Sequence, residues 1–344
     1  MKAALLTKPG EITIGEVQNA QAKPGEILVE IKSCGVCATD VKKFTGKSSA
    51  PFLPFILGHE PAGIITSLGD SQQSGLEVGD RVAIAPVVTC GHCPSCVSGK
   101  TATEGMGMCD HYEVIGFSQN GAFCEFAAAP AANIFKLPDE LTFRDAAIIE
   151  PVAACANGVL RSLCTPPGNA VVLGGGFMGL VCMQIYKTLG YRVLISDMLD
   201  ERLELASQLG ADVTVNPQKT DVEKAVKDFT SGEGADSLIC AIGIKELSES
   251  GIRMMKKGGK IVMLASAGHD TTVEFNLSNL HYNQTVITGS VSYTQASYRW
   301  AIDLLSRGKI GTDLLITATG NLDEVGKLLS MTRDHIGIKN VALF

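Results

Sequence analysis

The sequence predicts an α/β protein in which a β-rich domain is followed by a doubly wound parallel-sheet domain. Three observations predict it. Up to residue 150, short alternating runs such as Glu26–Ile31 and Arg81–Ala85 are punctuated by Gly and Pro, the texture of antiparallel strands and tight turns. From Pro151 onward, strand-length apolar runs alternate with helical stretches, which implies a parallel sheet covered by helices on both faces. Strands buried on both faces read as unbroken apolar runs, and AVVL, RVLIS and KIVML do so.

Taken in order, the second half reads as a strand at Ala170–Leu173, a helix at Leu180–Leu189, a strand at Arg192–Ser196 and a helix at Asp200–Leu209. There follow a strand at Asp212–Val215, a helix at Asp221–Phe229, a strand at Ser237–Ala241, a helix at Leu247–Met255 and a strand at Lys260–Leu264. The pattern then changes again. Tyr298–Leu305 is amphipathic and reads as a helix, and Asn340–Leu343 as a final strand. The chain is therefore expected to leave its first domain (residues 1–152), build a nucleotide domain (residues 153–291) and return to complete the first with residues 292–344.

Composition narrows the function. At 344 residues the chain is long enough for two cores without disulfide staples. A net charge of −7 argues against nucleic acid as a partner, because phosphate binding draws on excess Lys and Arg. No apolar segment has membrane-spanning length, and Met1–Thr7 reads as a strand running into Pro9-Gly10 rather than as a signal peptide, so a cytoplasmic protein is expected. Eleven cysteines in that compartment point to metal ligands and buried apolar positions rather than to a disulfide framework.

Gly174-x-Gly176-x-x-Gly179 follows a predicted strand and opens a predicted helix, with Phe177 and Met178 inside the turn. The first glycine permits the tight turn, the second lets the backbone approach a pyrophosphate, and the third allows close helix–strand packing. Asp197 ends the next strand, where a carboxylate binds both ribose hydroxyls and repels the extra phosphate of NADP; NAD is therefore the expected cofactor. Arg202, in the following helix, either covers the adenosine ribose or softens that discrimination.

Two metal sites are expected in the first domain. Cys90, Cys93 and Cys96 are spaced by two residues each and Cys109 lies beyond a loop, a thiolate set suited to a closed structural zinc site, with His92 a bystander. The second set is scattered: Cys37, the His59-Glu60 pair and Glu150 at the junction of the domains. A Cys, a His and a carboxylate would leave one zinc position open, as catalysis requires, with Thr39 supplying a hydroxyl for proton transfer and Asp40 a carboxylate to orient His59; on spacing alone His59-Glu60 reads equally as a satisfied surface or core pair.

These motifs together resemble the zinc-containing medium-chain dehydrogenases, and within them the sorbitol, threonine and galactitol-phosphate branch. The resemblance runs through CGVCATD, GHEPAG, VGDRV, the cysteine cluster, IIEPVAACANG, GGGFMG with Asp197, and GSVSY with AIDLLSRGKI. It implies a GroES-like catalytic domain and a Rossmann domain, a homo-oligomer (dimer or tetramer), and a small-molecule alcohol as partner. It also implies a catalytic zinc held by Cys37 and His59, with Glu150 the usual carboxylate of the polyol branch and Glu60 adjacent and able to join the shell. Three positions depart from the family pattern. Cys96 and Cys109 stand further apart than usual, separated by an insertion at residues 100–108; Lys42 occupies the place of a proton-relaying histidine; and the tail after Lys309 lacks a basic-aromatic pair.

The expected activity is hydride transfer from a secondary alcohol of a polyol, sugar alcohol or sugar-alcohol phosphate to NAD, with zinc acting as Lewis acid and Thr39 accepting or passing the proton. A threonine-type amino-alcohol dehydrogenase is the alternative substrate reading. A zinc-scaffolded binding protein or a metal hydrolase would leave the pairing of Gly174–Gly179 with Asp197 unexplained. Arg299 is either a substrate contact or a solvated helix residue, and Lys42, Lys43 and Lys47 either favour an anionic substrate or are surface charges.

Overall fold

The computed structural model describes residues 1–70, 75–268 and 270–344. The chain forms two compact units: Met1–Pro151 with Thr294–Gly308 and Thr312–Phe344, and Val152–Tyr293 with Lys309–Gly311. Among the described residues no helix is long and apolar enough to cross a membrane.

The first unit is built on the long strand Glu26–Val36. It pairs antiparallel with Glu60–Ser67, Phe126–Pro130 and the C-terminal strand Lys339–Leu343, the last in register Asn340 to Val36 and Leu343 to Ser33. Lys339–Leu343 also runs parallel to Ile316–Gly320, so the end of the chain supplies two strands to a seven-stranded sheet. Alternation predicts Glu26–Ile31 alone, but the strand continues to Val36. Up to Lys32 every second residue is buried, whereas Ser33–Val36 are all buried, because both faces of the strand are covered there. The periodic signal is lost where the strand enters the core. Lys2–Lys8 pairs with Glu11–Glu16 and with Phe55–Ile56 in a smaller sheet.

The second unit has six parallel strands in spatial order Val213–Val215, Arg192–Ser196, Asn169–Leu173, Ala235–Cys240, Met255–Met263 and Val286–Gly289. In chain order this is 3-2-1-4-5-6, the doubly wound arrangement whose ligand crevice lies at the carboxyl ends of the first and fourth strands. Leu173 stands level with Ser196 on one side and Cys240 on the other, which places the turn that follows Leu173 at this switch point. The predicted elements are present with shifted ends. The helix expected at Leu247–Met255 spans Lys245–Arg253, and the strand expected at Lys260–Leu264 begins at Met255. Lys256–Gly259 reads locally as a polar turn, yet Ala235 pairs with Met255 and recruits the segment into the ladder across a register irregularity.

Candidate active site and metal centres

Cys37 follows the long strand directly and caps the helix Ala38–Phe44, so the strand's end fixes its position. Asp40, in the first turn of that helix and 1% exposed, accepts three hydrogen bonds: from the Cys37 amide at 3.0 Å, the Gly58 amide at 3.1 Å and His59 Nδ1 at 3.1 Å. A carboxylate that takes Nδ1 leaves Nε2 to face the other donors and fixes the ring's orientation. Burial pulls the His59 pKa down, but the charge and hydrogen bond of Asp40, with Cys37 beside it, outweigh burial and the net shift is well upward. Thr39 Oγ1 lies 3.7 Å from Cys37 Sγ.

Glu60 is the first residue of the strand Glu60–Ser67 and is 2% exposed. Lys339 Nζ lies 2.7 Å from its Oε1 and 2.6 Å from its Oε2. The lysine is 6% exposed and comes from the C-terminal strand; burial lowers its pKa, Glu60 together with Cys37 and Glu150 more than offsets this, and the net shift is upward. Gly35 has no room for a side chain, because a Cβ would meet Glu60 Oε2 and the Ala147 carbonyl. Lys339→Met would strand the buried carboxylate and should lower unfolding stability by about 3–5 kcal/mol. Urea unfolding measures this, and the double variant with Glu60→Gln should recover part of the loss.

One ligand atom each from Cys37, His59 and Glu60 lies within 4.8 Å of the others. Glu150, in the first turn of the helix Ile149–Ser162, is not in that set. Its carboxyl is pushed up to about 7, chiefly by burial and further by Glu60 and Asp40, against the opposing charges of His59 and Lys339. A sulfur, an imidazole nitrogen with its tautomer fixed, and a carboxylate oxygen thus converge. This donor chemistry fits a mixed-ligand zinc site.

The second cluster is all thiol. Cys109 Sγ lies 3.6 Å from Cys90 Sγ and 3.9 Å from Cys93 Sγ, and Cys90 and Cys96 are 4.0 Å apart. A tetrahedron with Zn–S bonds of about 2.3 Å has edges of about 3.8 Å, so the four sulfurs fit one ion. Backbone amides also point at the sulfurs: Cys90 N to Cys109 Sγ at 3.3 Å, Cys93 N to Cys90 Sγ at 3.4 Å and His111 N to Cys109 Sγ at 3.4 Å. Amide donors favour the thiolate; the Cys90 thiol is lowered to about 7, with the His92 amide the largest cause. The inserted segment folds into two short turns, Lys100–Thr103 and Met106–Met108, that bring Cys109 back to the cluster. The His92 ring faces elsewhere, with Nδ1 2.8 Å from the Cys90 carbonyl oxygen and the ring stacked on His111.

In the second unit, Gly174 has φ +104°, the left-handed backbone that the tight turn needs, and donates its amide to the Ser196 carbonyl of the neighbouring strand at 2.8 Å. The space where a Gly176 Cβ would stand is open, whereas a Gly179 Cβ would collide with the Gly174 carbonyl. The helix Phe177–Thr188 starts at once, so its free amides face the turn. Asp197 accepts from the Gly175 amide at 2.7 Å and the Leu199 amide at 2.9 Å, and Arg202 Nη1 lies 3.4 Å from its Oδ2. Arg202 is thus the ion partner of Asp197. Met178 is held through its carbonyl and sulfur by the Cys155 thiol, at 3.4 and 3.6 Å.

Two contributors carry no signal in the sequence: Lys339, separated from Glu60 by 279 positions, and Cys155. Arg299 is exposed, with its guanidinium 5.2 Å from the Phe135 ring centroid, and Lys42 and Lys47 are exposed while Lys43 is buried.

Residues 23–139 match the alcohol dehydrogenase GroES-like domain, and residues 178–307 match the zinc-binding dehydrogenase domain. An alcohol dehydrogenase of Geobacillus stearothermophilus is 33% identical over 331 residues, covering 94% of this chain and 95% of its own. The 2-dehydro-3-deoxy-L-galactonate 5-dehydrogenase of Pseudoalteromonas atlantica is 30% identical, covering 88% and 86%. A solved protein of Sinorhizobium meliloti 1021 bound to NADP superposes with a TM-score of 0.91 at 28% identity, covering 100% of this chain and 99% of its own. The chain belongs to the zinc-type alcohol dehydrogenase family and is an oxidoreductase.

Proposed function

We propose that this enzyme oxidises a secondary alcohol of a polyol, sugar alcohol or sugar-alcohol phosphate, with NAD as the hydride acceptor. The observation that carries the reading is the convergence of Cys37, His59 and Glu60 beside the Thr39 hydroxyl. The carbohydrate relative from Pseudoalteromonas atlantica supports the substrate class. When bound, zinc supplies Lewis acidity and the dinucleotide a hydride acceptor.

Every other part is played by the chain's own residues. Cys37 and His59, with Glu60 or Glu150, would hold the catalytic zinc, and Cys90, Cys93, Cys96 and Cys109 a structural one. Asp40 keeps His59 in one tautomer and ties it to the Cys37 and Gly58 amides, so the donors are pre-organised. Thr39 Oγ1 accepts the substrate's hydroxyl proton and passes its own onward. Gly174–Gly179 receives the pyrophosphate, and Asp197 the adenosine ribose, where its charge disfavours a 2′-phosphate. Arg202 neutralises part of that charge, which makes the preference for NAD a matter of degree.

The test is reduced-cofactor formation across free polyols, sugar-alcohol phosphates, threonine and simple alcohols, with NAD or NADP and with or without a zinc chelator. Chelator-sensitive turnover of the polyol group, faster with NAD, is expected. Turnover of threonine alone, or activity indifferent to the chelator, would overturn the reading.

A further inference from the structure

Lys43 sits on the helix that carries the site, four residues after Thr39, so the two side chains share one helix face about 6 Å apart along the axis. Unlike its neighbours Lys42 and Lys47 it is buried, at 4% exposure. Its ammonium donates to the Ser49 carbonyl at 2.6 Å and lies 4.1 Å from the centroid of the Phe117 ring. Three donors are available on an ammonium, and this lysine uses one on a neutral carbonyl.

Burial lowers the Lys43 pKa against the charge of Asp40, and Asp40 is already committed to Cys37, Gly58 and His59, so among the described residues no carboxylate forms an ion pair with this ammonium. A buried cation without its own carboxylate is costly, and such a group is poised for an anion. Its surroundings place it at the site. Gly116, next to Phe117, packs so closely on Gly58 and His59 that a Cβ there would meet the Gly58 carbonyl and His59 Cβ. The ammonium is therefore bracketed by the helix of Cys37 and Thr39 and by the turn lying on His59. Phe117 is 36% exposed, so the ring over the ammonium borders solvent on its other side.

We propose that Lys43 recognises an anionic group, phosphate or carboxylate, on the substrate, several carbon–carbon bonds from the hydroxyl that meets Thr39. The inference rests on the dehydrogenase reading above and makes its substrate class narrower: a sugar-alcohol phosphate or polyhydroxy acid rather than a free polyol. The ring–ammonium contact is weaker than charge-assisted hydrogen bonds to an anion, so the exchange favours the substrate.

The experiment uses the zinc-loaded enzyme with sorbitol, sorbitol 6-phosphate and gluconate, a neutral compound and two anions on the same carbon chain. Both turnover and equilibrium binding by calorimetry are measured for the wild type, Lys43→Met and Lys43→Arg. The wild type should prefer at least one anion tenfold or more in kcat/KM and in Kd, and the favoured anion distinguishes phosphate from carboxylate. Lys43→Met should erase the preference through KM while sorbitol changes less than threefold, and Lys43→Arg should retain most of it. If the wild type shows no preference in binding, if neither anion binds, or if Lys43→Met weakens sorbitol and the anions alike, Lys43 is a structural strut and the inference fails. Should Lys43→Met not fold, Lys43→Arg and Lys43→Gln carry the comparison. Lysine-dependent anion binding without turnover would instead overturn the substrate reading proposed above and leave the anion site standing.

Discussion

Cys37→Ala is expected to abolish turnover, lowering kcat by about 10³-fold or more, which corresponds to about 4 kcal/mol of transition-state stabilisation. NADH binding should stay close to that of the wild type. The reason is structural: Cys37 supplies the sulfur of the mixed cluster and caps the helix bearing Thr39 and Asp40, whereas the turn Gly174–Gly179 belongs to the other unit. Bound zinc should fall by about one ion per chain. Asp40→Asn offers a graded companion. It keeps the volume but weakens the acceptor for His59 Nδ1, and a loss of about 10–100-fold is expected in metal affinity or activity. Stopped-flow turnover, nucleotide titration and metal analysis together decide the matter. Full turnover by Cys37→Ala would remove the mixed cluster from the chemistry.

Cys109→Ser should act on stability rather than on chemistry. Structural zinc sites of small domains are worth about 10–16 kcal/mol in apparent binding energy, and a site reduced to three thiolates loses much of it. The cluster lies beside the short hairpin of Val87–Val88 and Glu113–Val114 rather than in the main sheet, so the global loss is expected to be smaller, about 3 kcal/mol. That corresponds to a fall in Tm of about 6–12 °C for a unit of this size. Bound zinc should again fall by about one ion per chain, and hydrogen exchange should rise in residues 88–115 while the nucleotide unit is unaffected. Unchanged zinc content and Tm would show that the four thiols are a packed cluster without a metal.

The doubly wound sheet was legible because its signals are local. Val171 and Val172 belong to an unbroken apolar run, the three glycines stand within six positions, and two of them answer backbone requirements inside the same turn, Gly174 by its positive φ and Gly179 by its contact with the Gly174 carbonyl. The ends of elements were less legible for the same reason. Lys256–Gly259 carries turn residues and is drawn into a strand by a partner twenty positions away, and Ser33–Val36 hides its strand character by being buried on both faces.

The sites divide along the same line. Chemical type and short spacing in the sequence nominated Cys90, Cys93 and Cys96, because a ligand set within a few residues leaves a readable pattern, whereas Cys37, Thr39, Asp40 and His59 are scattered and were joined through the resemblance to a known family. Spacing could not say how an insertion folds, and it is the two turns at Lys100–Thr103 and Met106–Met108 that return Cys109 to within 4.0 Å of its neighbours. Nor could it choose among three lysines. Helix orientation buries Lys43 and leaves Lys42 in solvent, and nothing in the run Lys42-Lys43 records which face meets the core.

Residue chemistry, the strand–helix alternation and the glycine spacing of the turn after Leu173 were thus determined by the sequence alone, since each depends on neighbours along the chain. The pairing of Glu60 with Lys339, the engagement of Asp197 by Arg202 and the desolvation that raises Glu150 were decided only by tertiary structure. The physical reason is that a charge's partner and its distance from water are properties of the folded surroundings. Lys339 becomes a partner for Glu60 only after the last strand pairs with Glu26–Val36 and carries it into the core.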